Sequence, residues 1–320
     1  MLQDVLPSTQ KIVNSSEHVF IDDDAVEEFC KSFSSRNFES SGLGDTLQEW
    51  DIEKSISLVC LFNCVNFCFW TGGGEEKWRV TIRGEVFDGA SGLFLALEDA
   101  LRNDIPVLDA NYLSEMTQEQ LEEVLKGNII IPLLDERVNC LHEGGKVLLE
   151  HFDGQLVNVF HAANGDAVEL TNLLVRFFPS FDDHTTLDGV RVDFHKRAQL
   201  NTDMINYRLG KKSQRELTNH DKLTAFADYK VPQILRRFGI LTYAPALAER
   251  IDSLVEIHAG SREEVEIRAA TIWAVERMKQ QLIPNNPDLT SARLDNYLWH
   301  AGQTKSPDDR PYHRTKTIYY

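Results

Sequence analysis

The segment Phe226-Ala227-Asp228-Tyr229-Lys230-Val231-Pro232 combines a carboxylate with two aromatic neighbours just before a proline. Pro232 suits the first turn of a helix running through Arg237, with Gly239 placed to end it. Asp228 therefore falls in the connector before that helix. Two readings stand level: a helix-start cap, or a carboxylate beside base-stacking rings that stabilises an oxocarbenium-like sugar and orients water. His195-Lys196-Arg197 is a compact cationic group in an acidic chain, at a strand-to-helix turn. It reads either as a solvated helix start or as a phosphate cradle, and cations at a helix N-terminus oppose the dipole. Asp295 and Trp299 stand four apart on one helical face, an arrangement equally suited to a flat ligand and to a surface helix with one buried indole. Asn66, within Asn66-Phe67-Cys68-Phe69-Trp70, is either a satisfied core amide or a ligand contact.

Other patterns argue against other chemistries. Cys60, Cys64 and Cys68 recur every four residues on one helical face, but no second Cys or His pair joins them, so they read as core thiols. The glycines at 72–74 lack the Lys-Ser/Thr of a phosphate-binding P-loop and read as a flexible turn. The 10 histidines show no His-Glu-x-x-His spacing, and no Gly-x-Ser-x-Gly elbow is present. No metal or cofactor is expected.

The elements that must position these groups are mostly helical. Helical patterns cover Ala25 to Phe33, a segment from Leu58 to Trp70, Ser91 to Leu101, the capping-box start at Thr117 and a long stretch after Pro132. Further helices are read over Asp166 to Phe178, Phe194 to Leu209, a second capping box at Ser261 to Glu264, and Ser291 to His300. Lys77 to Gly89 alternates like a small antiparallel ribbon, and Val190 to Val192 is strand-like. The apolar Ile318-Tyr319-Tyr320 is expected to dock onto the body.

The 320 residues, 42% hydrophobic and 26% charged, suit one mostly α domain over 1–320 with a small β element; lobes 1–110 and 111–320, divided near Asn111, are the alternative. A net charge of -17 argues against a long polyanionic partner while leaving room for a small anion. No stretch reads as a membrane span or targeting signal, and five cysteines point to a reducing, cytoplasmic setting.

Taken together, Asn66–Trp70, Pro132-Leu133-Leu134-Asp135-Glu136-Arg137, Phe178-Pro179-Ser180-Phe181, Lys196-Arg197-Ala198-Gln199, Phe226–Gln233, Glu264–Arg268, Tyr297-Leu298-Trp299 and Tyr312–Tyr320 resemble the queuosine salvage family, the queuosine 5'-phosphate N-glycosylase/hydrolases. The resemblance runs in order from about His18 onward. It implies hydrolysis of queuosine 5'-monophosphate to queuine and ribose 5-phosphate, on a helical fold related to helix-hairpin-helix DNA glycosylases. The helix from Pro232, the turn at Gly239 to Leu241 and the helix from Pro245 look like that hairpin, although the usual Gly-x-Gly is absent. By the same resemblance Asp228 is the catalytic aspartate, Phe226 and Ala227 line the base pocket, Asp295 and Trp299 meet the base, and Lys196 contacts the 5'-phosphate. Asn66 and His18 are weaker transfers. The rival readings are a DNA or RNA base glycosylase, which needs a basic face, and a non-enzymatic nucleotide-binding module, which would release no base.

Overall fold

Helix caps set much of the architecture. In the computed structural model, which describes residues 1–33, 47, 49–73, 75–307 and 309–320, the chain runs α1 (Val5–Asn14), β1 (Val19–Ile21), α2 (Asp23–Ser32), α3 (Ile52–Cys64), β2 (Arg79–Ile82), β3 (Glu85–Asp88), α4 (Gly89–Arg102), α5 (Ala110–Glu115), α6 (Gln118–Val124), α7 (Leu134–His151), α8 (Leu156–Ala162) and α9 (Ala167–Phe177). It continues through β4 (His184–Leu187), β5 (Val190–Asp193), α10 (Lys196–Lys211), α11 (Lys230–Arg237), β6 (Leu241–Tyr243), α12 (Pro245–Asp252), α13 (Arg262–Leu282) and α14 (Ser291–Ala301). Asp22, Asp51, Asp109, Asp166 and Thr290 each accept a first-turn N–H with their side chains, and Thr117 with Gln120 closes a full capping box. At Ser261 only half of the expected box forms. Ser261 accepts from Glu264 N, but the Glu264 carboxylate turns to Gly260 N and to the Tyr320 hydroxyl.

The expected ribbon is the β2–β3 hairpin, and two further antiparallel pairs join it. β4 and β5 form a hairpin with His184 opposite Asp193, while β1 pairs with β6 across most of the chain. Helix α11 ends at Gly239, whose φ of 71° is the left-handed conformation that glycine adopts without strain. The strand β6 then separates it from α12, so the expected helical hairpin contains an extended segment.

Two large apolar cores result. One gathers α3 to α10, from Leu47 to Leu217; the other gathers α1 and α2 with Val192 to Leu298. Val107, Ala110, Leu113 and Met116 belong together in the first core, so it runs across Asn111. Within it α5 lies close on α7 at Gly145, where a Cβ would stand 2.6 Å from the Ala110 carbonyl oxygen. No helix among the described residues is long and apolar enough to cross a membrane.

The apolar run expected to stay helical to Trp70 stops at Cys64. Cys68 has φ 41° and lies off the helix, so the three thiols do not share a helical face. All three are buried and free. The segment is held open by two buried arginines. Arg197 on α10 donates to the carbonyls of Asn63 (2.8 Å), Cys64 (2.6 Å) and Ser180, and Arg137 on α7 donates to those of Val65, Phe67 and Cys68 (3.1 Å). Helix α10 itself starts at Lys196, two residues later than the apolar pattern places it. Of the three glycines, Gly72 and Gly73 lie in a turn, and Gly74 lies outside the described residues.

Candidate active site

A cavity of about 1360 Å³ opens between the two cores, larger than the roughly 300–1,000 Å³ of most small-ligand sites. One wall comes from the first core and the segment after α3: Asn66, Phe67, Phe69 and Trp78. Phe69 and Trp78 stack with centroids 6.4 Å apart. A second part of the lining brings Lys196, Phe226, Asp228, Asp295 and Trp299 together from α10, the loop before α11, and α14. Six of the expected site residues thus meet in one place.

Asp228 shows why local sequence left two readings level. Its Oδ1 accepts the backbone N–H of Lys230 (2.7 Å) and Val231 (3.0 Å), so the residue does cap the start of α11. The same bonds fix the carboxylate against the cavity, with Oδ2 accepting no hydrogen bond among the described residues. Capping and presentation to a ligand are one geometry here.

Asp295 is 3% exposed and accepts the Phe226 N–H at 2.9 Å, which ties α14 to the Asp228 loop. Burial raises its pKa well above the ordinary carboxylate value, and the nearby charge of Asp228 raises it further against the opposing pull of Phe226 N–H and Lys196. Asp295 is thereby held towards its neutral form, beside an Asp228 carboxylate that accepts two backbone N–H groups. Burial lowers the pKa of Lys196, and Asp228 followed by Asp295 draws it back up. The three groups form one electrostatic unit.

Three anchors fix these segments. Gln199 on α10 donates to Thr224 Oγ1 (3.0 Å) and accepts Thr224 N–H (2.8 Å), two residues ahead of Phe226. Arg268 on α13 donates to the Ala227 carbonyl at 3.1 Å. Asp183 accepts the Lys196 N–H at 3.1 Å. The segment from Tyr312 docks as expected: Tyr320 is 2% exposed, lines the cavity and donates to Glu264 at 2.8 Å, while Tyr312 packs on Tyr229 at 4.7 Å.

Two expected residues stand apart. His18 does not line the cavity; its N–H donates to Glu266 on α13 (2.7 Å) and its carbonyl accepts from Ala244. Ala227 is buried behind the wall, with its carbonyl turned to Arg268. Lys77, Lys230 and Tyr229 also line the cavity. Lys230 and Tyr229 lie inside the Asp228 motif, so adjacency was their available signal. Asp183 carried none, because its partners lie far along the chain.

One group of metal-ligating type exists among the described residues: Asp182, Asp193 and His195, none of which lines the cavity. Arg191 donates to both carboxylates, at 2.7 and 2.8 Å.

Fold and site together define a mostly helical protein with a large cavity on which two aspartates, a lysine and several aromatic rings converge. A model of the queuosine salvage protein family matches residues 47–320, and the chain belongs to that family. It is 41% identical over 320 residues to a protein of Sphaerobacter thermophilus, covering 99% of this chain and 97% of that one. It is 31% identical over 333 residues to a Dictyostelium discoideum protein (99% and 98%) and 30% identical over 335 residues to one from Bos taurus (98% and 97%). All three relatives bear the name queuosine 5'-phosphate N-glycosylase/hydrolase.

Proposed function

We propose that this chain hydrolyses the N-glycosidic bond of queuosine 5'-monophosphate, releasing queuine for salvage and ribose 5-phosphate. The observation that carries the reading is the convergence of Asp228, held by two backbone N–H groups, with the buried Asp295 and Lys196 in one cavity. Together with the names of the full-length relatives, it favours a hydrolase over a passive binder.

The base stacks against Phe226 or Trp299. Neutral Asp295 offers an O–H to the base's polar edge, where negative charge gathers as the C1'–N bond breaks and its electron pair leaves with the base. The Asp228 carboxylate faces the sugar and stabilises the positive charge that develops there. Water oxygen ends on C1', and the departing base gains a proton. Lys196 serves the 5'-phosphate, so binding energy remote from the bond aligns C1' with Asp228. Asn66 extends the polar edge of the facing wall.

One catalytic domain is the reading that fits a cavity walled by both cores. The net charge of -17 supports a small nucleotide over a nucleic-acid substrate. Free cysteines at 30, 60, 64, 68 and 140 support a cytoplasmic location.

Asp228→Asn tests the reading. The amide can still accept the Lys230 and Val231 N–H bonds, so the loop should stay in place. Base release, followed by chromatography, should fall at least about 1,000-fold, while calorimetry should still detect nucleotide binding. Retained turnover would reject the catalytic role.

A further inference from the structure

The buried Arg268 guanidinium on α13 reaches several parts of the site's framework. Nη1 and Nη2 donate to the two Asp183 carboxylate oxygens at 2.9 and 2.5 Å, and Nε donates to the Ala227 carbonyl at 3.1 Å. Glu264 Oε1 lies 3.7 Å from Nη1. The guanidinium carbon is 3.9 Å from the Phe194 ring centroid and 4.5 Å from that of Tyr320. Asp183 in turn accepts the Lys196 N–H through Oδ2, and its carbonyl accepts the N–H groups of Phe194 (2.9 Å) and His195 (3.1 Å). One ion pair is therefore bonded to the residue before Asp228 and to the backbone of Lys196.

We propose that the Arg268–Asp183 pair is a positioning device for glycosidic-bond cleavage, setting the Asp228 loop and the Lys196 helix start at a fixed mutual distance. The proposal rests on the hydrolase reading above. Its physical basis is that the two segments share no helix or sheet: the Gln199–Thr224 bonds tie α10 to the loop ahead of Phe226, and the Arg268–Asp183 pair is bonded to Lys196 itself and to the neighbour of Asp228. Asp228 is placed by a loop after a turn, and Lys196 follows His195, whose φ of 51° is a left-handed conformation that a tertiary contact must hold. A planar fork fixes direction as well as distance, which a lysine ammonium at the same place would not. Stability alone is a poor explanation for the pair, since apolar residues of similar volume often replace buried ion pairs without loss. Neither residue lines the cavity, so both act through others.

The test uses the full chain and three variants: Asp183→Asn, Arg268→Lys and the double Asp183→Leu/Arg268→Met. For each, kcat, KM for the 5'-monophosphate and the thermal midpoint are measured. Asp183→Asn should lower kcat about 100-fold, the scale of an ångström-sized misplacement, with KM moved less than about threefold because no substrate contact is removed. Arg268→Lys keeps charge and one bond, should lose about 10-fold in kcat, and answers the question if Asp183→Asn does not fold. The double variant should stay folded yet be as slow as Asp183→Asn. A kcat within twofold of the parent in any folded variant would overturn the proposal, as would losses that track the thermal midpoint or fall equally on KM. The parent protein is the internal control: no base release from it rejects the hydrolase reading itself, a result distinct from unchanged variants beside an active parent.

Discussion

The two walls of the cavity are both held by buried arginines, but the arginines meet different acceptors. On the aromatic wall Arg137 and Arg197 donate to backbone carbonyls, which are neutral. Arg137 also lies over the Phe67 ring, 4.4 Å from its centroid. Burial therefore pulls its pKa below the ordinary arginine value. On the charged wall Arg268 is buried as deeply, yet its pKa is raised: burial works against the charge, and Asp183 outweighs it. A guanidinium among carbonyls is a splint for irregular backbone. A guanidinium locked to a carboxylate places groups that carry charge. The difference separates what shapes this cavity from what makes it reactive.

Removing the splint should produce the largest effect on folding. Arg137→Ala strands the carbonyls of Val65, Phe67 and Cys68 in a dry interior, at about 1–3 kcal/mol for each unsatisfied group. A loss of about 4 kcal/mol in urea unfolding is expected. Folded protein that remains should keep kcat within a few fold. A fall in kcat at full occupancy of the folded state would erase the distinction between the walls.

Asp295→Asn sharpens the other side. Base release should fall about 100-fold, the usual worth of a positioned general acid. The parent's rate should be retained at low pH and decline as pH rises through the raised Asp295 pKa, a limb that the variant should lack. Stability moves the opposite way. The unfolded Asp295 releases its proton near its ordinary value of about 3.9, while the folded one retains it. The folded state then binds more protons, and the parent loses stability as pH rises across that window. Asparagine does not titrate, so the variant should gain on the parent at neutral pH and lose the advantage below about pH 4. Urea midpoints at both pH values check the sign.

The same contrast explains what was legible in the sequence. Elements set by neighbours read well: the capping box at Thr117, the stop at Gly239 and the α14 face carrying Asp295 and Trp299. Elements set by distant partners did not. Nothing local ends α3 at Cys64; Arg137 and Arg197 do, from other helices. Asp183 carries no local signal, because Arg268, the partner of its carboxylate, lies 85 residues on. His18 sits in a family-like neighbourhood, yet Glu266 and Ala244 hold its backbone away from the cavity. The motif that carried the function, Phe226 to Pro232, was legible because a cap and a presented carboxylate require the same few residues.

The smallest expected effect concerns which wall stacks the base. Trp299 lines the charged wall beside Phe226, while Phe69 and Trp78 stack on the facing one. Among the described residues the indole takes no part in the Arg268–Asp183 hydrogen bonds, so shortening it should leave the alignment of Asp228 intact. Trp299→Leu should raise KM for the 5'-monophosphate about fivefold, near the 0.5–1.5 kcal/mol of an aromatic stack, with kcat within about twofold because the contact is made equally in ground and transition states. An unchanged KM would move the stacking partner across the cavity to Phe69 and Trp78, and Phe69→Leu should then show the fivefold rise. A fall in kcat instead would mean that the indole orients the base at bond cleavage, making the charged wall responsible for both holding and breaking the glycoside.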